Sequence, residues 1–150
     1  MTFDSIDALK NYILSRSGNA IRLAQERIYQ VIDRFVKEYY AEFTPEVYER
    51  TYQLYRSLVK SDIKSTGNGW IAEVYFDLDA LDYHMKRING VEVLNKGWSE
   101  EKTLSAAARG SHGGYNIGGT AIWYEPLKIL NADGYNMLKK ALIDSGIPVR

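Results

Sequence analysis

Apolar residues recur at helical spacing through most of the first 43 positions. Phe3, Ile6, Leu9 and Ile13 predict a short helix over 3–15. Ser17-Gly18-Asn19 interrupts it, with Asn19 placed as an N-cap for a second, longer helix. That helix is expected to run from 19 to 42, about 36 Å. Ile21, Ala24, Ile28, Val31, Ile32, Phe35, Tyr39 and Phe43 form one stripe along it, and Glu26, Gln30, Asp33, Arg34 and Lys37 lie opposite. Asp33 and Lys37 sit at i, i+4 in the favourable order. Leu23 falls on the polar side, as a stray exposed leucine or as a subunit contact.

Thr44-Pro45 restarts the chain. Threonine caps, proline suits the first helical position, and a helical turn or two is expected from Pro45 to Thr51. From Leu54 the pattern shifts toward strand. Ser65-Thr66-Gly67-Asn68-Gly69 is a turn signal between two runs, so a hairpin with strands over 54–65 and 69–77 is expected. Trp70, Ala72, Val74 and Phe76 alternate with Ile71, Glu73, Tyr75 and Asp77. Apolar groups on both faces predict a second strand covered, at least partly, on both sides. Residues 77–98 read as loop or short helix. Ser99 caps a clear helix with Glu100 and Glu101 in its first turn, Arg109 in its last and Gly110 as its stop. SHGGYNIGG is a glycine-dense loop, Ala121 to Tyr124 a candidate strand, and the last helix is expected over 132–145, stopped by Gly146 and Pro148. The pattern is that of an α+β fold: a long N-terminal helix and a C-terminal helix packed on an antiparallel sheet, with a long Gly-rich insertion. One domain over 1–150 is the natural expectation for this length.

Composition removes several function classes. Nineteen basic residues balance nineteen acidic ones, so there is no global field to draw in nucleic acid or an anionic membrane. With no cysteine, disulfides and thiolate metal sites are ruled out. MTFDSIDALK does not read as a signal peptide, and no run approaches the roughly 20 apolar residues of a membrane span. Twelve tyrosines and three tryptophans stand out, as filling for the core or as contact-surface residues.

Candidate chemistry is thin. His112, beside Ser111 in a glycine loop, invites an acid–base reading, yet no partner motif accompanies it, and a loop needing positive φ explains the segment more simply. Asp77, Asp79, Asp82 and His84 are dense enough for a hard cation but lack the EF-hand pattern, so an acidic solvated loop is favoured. Gly113-Gly114 and Gly118-Gly119 do not form a phosphate cradle. Arg50, Arg56, Lys60 and Lys64, interleaved with Tyr52 and Tyr55, make a basic strip that Glu46, Glu49 and Asp62 dilute. No catalytic residue, cofactor or metal is expected.

The run Tyr39-Tyr40-Ala41-Glu42-Phe43-Thr44-Pro45, followed by Tyr48-Glu49-Arg50-Thr51-Tyr52-Gln53-Leu54-Tyr55-Arg56-Ser57-Leu58, resembles the neck or tail-completion family of long-tailed bacteriophages. Ala106-Ala107-Ala108-Arg109-Gly110-Ser111-His112-Gly113-Gly114 is similar to a segment of members from Gram-positive phages. The likeness is strongest over 28–66, and the stretch 78–120 is longer than a minimal member needs. What the resemblance implies is a non-enzymatic virion protein at the head–tail junction, present in the host cytoplasm during assembly. It implies a six-fold ring of this chain, contacts with head-completion or connector and tail proteins, no membrane, no sequence-specific nucleic acid, and DNA passage through the ring lumen. A closing ring needs two different patches per subunit. Leu23, Tyr52, Tyr55, Trp98, His112 and Tyr115 are the expected subunit contacts. The competing readings are a small binding or regulatory module and, behind it, a hydrolase using His112.

Overall fold

In the computed structural model the chain is described over residues 2–42, 44, 52–82, 85–94, 99–111 and 119–149. Ser5 starts the first helix, its hydroxyl accepting from the Ala8 amide at 3.1 Å. The break expected at Ser17-Gly18-Asn19 does not occur. One helix, α1 (Ile6–Ala41), runs through it for 36 residues. The three residues have tertiary and local roles instead. A Cβ on Gly18 would lie 3.2 Å from the Trp70 ring, so the glycine makes room for an indole against the helix. Ser17 donates back to the Ile13 carbonyl at 2.7 Å. Asn19 donates to Ser145 Oγ at 3.1 Å and accepts from Arg22 at 2.8 Å. A mid-helix glycine costs about 1 kcal/mol, less than a well-packed tryptophan returns.

The expected first strand is also revised. Gln53–Ser57 is a short helix, α2, and the strand β1 (Leu58–Lys60) follows directly. The turn stands as expected: β2 (Lys64–Ser65) pairs antiparallel with β3 (Trp70–Ile71) in the register Lys64↔Ile71 and Ser65↔Trp70. Thr66 donates to Gly69 O at 2.9 Å, with Gly67 at φ +83°. β1 pairs with β4 (Val74–Phe76). The second strand is covered on one face rather than two. Trp70, Ala72, Val74 and Phe76 are half-buried, while Ile71 and Tyr75 stand in solvent. The fold is α+β, with two long helices and short antiparallel strands.

The chain gathers into two compact units. The first comprises residues 1–29, 60–74 and 130–150. Ala20, Ala24, Ala141 and Ile147 are buried in it. Gln25, 7 % exposed, donates through Nε2 to both Ser61 O and Glu73 O at 2.9 Å. Ser61 and Glu73 also bond each other, so this amide closes the gap where the strands are interrupted. The helix α4 (Tyr124–Asp144) contributes its last turns. Arg27 reaches it at Met137 O (2.8 Å) and Asp144 (2.5 Å).

The second unit comprises residues 30–59 and 75–129. Ile32, Val36, Tyr39, Leu54, Leu58, Leu81, Ala106, Ala107 and Ile122 form its core. Phe35, read as central to the stripe, is only half-buried. The segment 77–98, expected as loop or short helix, holds a 3-10 turn (Leu78–Ala80) capped by Asp77 and a hairpin of β5 (Met85–Ile88) and β6 (Val91–Leu94). Asn89 and Gly90 turn that hairpin with φ +49° and +80°, the geometry of a two-residue primed turn. α3 (Glu100–Ala108) has the expected Ser99 cap and Gly110 stop. Ala121–Tyr124 is not a strand: α4 begins at Tyr124, eight residues before the expected start. Pro126 sits in its first turn, where its missing N–H removes no helical bond.

Candidate interaction surfaces

Of the residues expected at subunit contacts, two come together. Tyr40, Tyr52 and Tyr55 form an aromatic cluster in the second unit. Tyr52 stacks on Tyr40 with centroids 5.1 Å apart, and Tyr55 meets Tyr40 edge-on at 6.4 Å. Tyr52 is 49 % exposed and holds a left-handed backbone, φ +57°, at the N-terminus of α2. A non-glycine residue there costs of order 1 kcal/mol or more, and the stacked ring offsets it. Lys37 lies 6.0 Å over the Tyr55 ring and bonds Asp33 at 2.7 Å. The Asp33 hydrogen bond and charge raise the Lys37 ammonium above the ordinary lysine range. Leu23 belongs to the first unit and is half-buried, not a free-standing surface leucine. Trp98, His112 and Tyr115, with His84 and the turn expected over 45–51, lie outside the described residues.

The glycine-dense segment is anchored at both ends of its described flanks. Gly119 donates to Gly110 O at 3.1 Å, and Ile122 donates to Ala107 O at 3.2 Å. Tyr39 donates to Ser111 O at 2.8 Å. The Glu42 carboxylate accepts from the Thr120 amide at 2.6 Å and from the Thr120 hydroxyl. Five bonds therefore fix the neck formed by residues 110–111 and 119–122. At the start of α3, the Ser99 hydroxyl holds the Glu101 carboxyl below the ordinary glutamate range, as does the Glu101 backbone amide.

The sequence reading missed a groove in the first unit. It encloses about 640 Å³ and is lined by Ile21, Ile28, Trp70, Leu130, Met137 and Leu138 among others, with Gln25 as a polar lining group. Its α1 wall follows the expected stripe. Its α4 wall was hidden because the helix was expected to start after Leu130. The β5–β6 hairpin was missed too, although Asn89-Gly90 between Met85–Ile88 and Val91–Leu94 is a strong local hairpin signal. Val91 and Leu94 of that hairpin are exposed, as are Ile6 and Tyr135 elsewhere. Among the described residues no group of His, Asp or Glu could hold a metal ion, and no helix is long and apolar enough to cross a membrane.

Among known proteins, the model of the YomN family matches residues 5–139. No curated protein and no solved structure matches the chain.

Proposed function

This chain belongs to the YomN family, a phage-derived family of the Bacillus SPbeta-like kind, and from that premise we propose that it is a non-enzymatic structural protein of the phage particle. Its place is the head–tail junction, where it forms part of the neck or completes the tail. The observation that carries the reading is the family match over 5–139. The likeness of residues 39–58 to neck and tail-completion proteins supports the finer assignment. Exposed apolar side chains on separate elements, among them Ile6, Val91, Leu94 and Tyr135, suit a subunit whose surfaces are completed by neighbours. In this reading the subunits form a six-fold ring against connector and tail proteins, with DNA passing through the lumen.

The test is a lysate of the phage lacking this protein. Packaged heads and finished tails should accumulate unjoined in electron micrographs, because two preformed rings with unmatched surfaces have no closing interface without an adaptor. Normal joined particles in that lysate would overturn the assignment. A hydrolase would instead leave joined particles that fail at infection.

A further inference from the structure

The β5–β6 hairpin is a two-stranded sheet with no third strand on either edge among the described residues. Such a hairpin is marginally stable by itself in water. Its register is Met85↔Leu94, Lys86↔Val93, Arg87↔Glu92 and Ile88↔Val91. Ile88 and Val91 close a two-residue turn and so exchange hydrogen bonds with each other. Alternation along the ladder then turns the peptide groups of Met85 and Arg87 out of one edge and those of Glu92 and Leu94 out of the other. Among the described residues no group bonds the outward N–H or C=O of Glu92 or Leu94. Val91 and Leu94 are 62 % and 59 % exposed, and Glu92 is exposed between them. The two edges also differ in charge: β5 carries Lys86 and Arg87, and β6 carries Glu92.

The two edges lie on opposite sides of one hairpin, so they cannot meet within a chain. We propose that the β6 edge of one copy takes the β5 edge of a second copy as its next antiparallel strand, in the register the hairpin itself uses. Glu92 and Leu94 then exchange backbone hydrogen bonds with Arg87 and Met85 of the second copy. Glu92 gains an arginine at its register position, Leu94 a methionine and Val91 an isoleucine, so the pairing that already holds the hairpin is repeated between copies. Like edges match less well. In the registers that overlap two β5 strands most, Lys86 meets Lys86 or Arg87 meets Arg87, and lysine on an edge is a common guard against such pairing. Two β6 strands centred on Val93 set Glu92 opposite a leucine and diagonal to the other Glu92. The contact rests on the assembly reading above and names its self-interface. It joins two different edges, so it repeats head to tail and closes as a ring or extends as a filament. Strands of four residues make a small interface, weak in dilute solution and reinforced when neighbours close around it.

The absence of cysteine allows disulfide trapping without background. Across the proposed contact Val93 and Lys86 of the second copy form a non-hydrogen-bonded pair, the closer kind and within disulfide reach. Lys86→Cys and Val93→Cys are made singly, each checked by circular dichroism, and the purified full-length chains are mixed at high concentration under mild oxidation. Ile88→Cys with Val91→Cys, the neighbouring pair of the same kind, replaces them if either variant loses its fold. The mixed dimer should exceed either self-dimer about ten-fold, as a contact favoured over random collision requires. Adding Arg87→Glu with Glu92→Arg to the Val93→Cys chain keeps opposite charges within that chain's own hairpin but sets like charges across the contact. The mixed yield should fall about three-fold. Adding the same two substitutions to the Lys86→Cys chain as well should restore it, a rescue that a merely structural role would not give. A yield unchanged by the first addition would overturn the proposal. Val93→Cys trapping itself as well as the mixture does would mean β6 meets β6, and would overturn it too. So would a mixed yield no better than that of Val93→Cys with Lys64→Cys, an exposed position of the other unit. Failure here alongside unjoined heads and tails in the deletion lysate would sink the strand pairing and leave the assembly reading standing. Success here with normal joined particles would do the reverse.

Discussion

α3 and α4 end in the same way, one in each unit, and their surroundings differ. Both close in a Schellman motif. Gly110 and Gly146 hold φ +75° and +82°, and the following residue donates back to the helix: Ser111 to Ala106 O and Ile147 to Leu142 O, each at 2.9 Å. At each end a tyrosine of α1 donates to a carbonyl of the motif or the residue after it, Tyr39 to Ser111 O and Tyr12 to Gly146 O. The difference lies in what a side chain would meet. A Cβ on Gly146 would come within 3.3 Å of the Arg16 side chain, which can swing away. A Cβ on Gly110 would come within 1.9 Å of the Gly119 carbonyl, which is backbone and pinned by the neck. The same local motif is therefore a helix stop in one unit and a helix stop plus a close chain crossing in the other.

Gly110→Ala breaks the comparison most sharply. It should cost about 3–5 kcal/mol, because the neck must open as well as the left-handed residue being strained. Urea unfolding followed by circular dichroism measures it. A loss equal to that of the Gly146 variant would mean the Gly119 approach carries no energy. Gly146→Ala should cost about 1–2 kcal/mol, the strain of a left-handed alanine alone, in the same experiment. The tyrosines give effects no larger than that. Tyr39→Phe, at a buried ring, should cost about 1–2 kcal/mol and Tyr12→Phe, half-buried, nearer 0.5 kcal/mol. Equal losses from the two would show that burial does not separate the ends.

Both glycine stops, the Ser99 cap and the turn at Thr66–Gly69 were legible in the sequence. Each rests on a dihedral preference or a hydrogen bond between residues a few positions apart, and such signals survive without knowledge of the rest of the chain. The same rules, applied to Ser17-Gly18-Asn19, pointed to a break that does not exist. Trp70, more than fifty positions away, decided the matter by packing against Gly18. Of the expected contact residues, Tyr52 and Tyr55 could be placed near each other from their spacing, but the Tyr40 ring that joins them could not. The groove was illegible because its walls come from α1, the β2–β3 hairpin and α4, and no local pattern relates them. The sequence by itself determined where α3 and α4 stop, where the first hairpin turns and which face of α1 is apolar, because backbone preference and side-chain periodicity are properties of neighbours. Only the tertiary structure decided how far that face is covered, which glycine is crowded and where the groove opens, because burial is settled by contacts between residues distant in the chain.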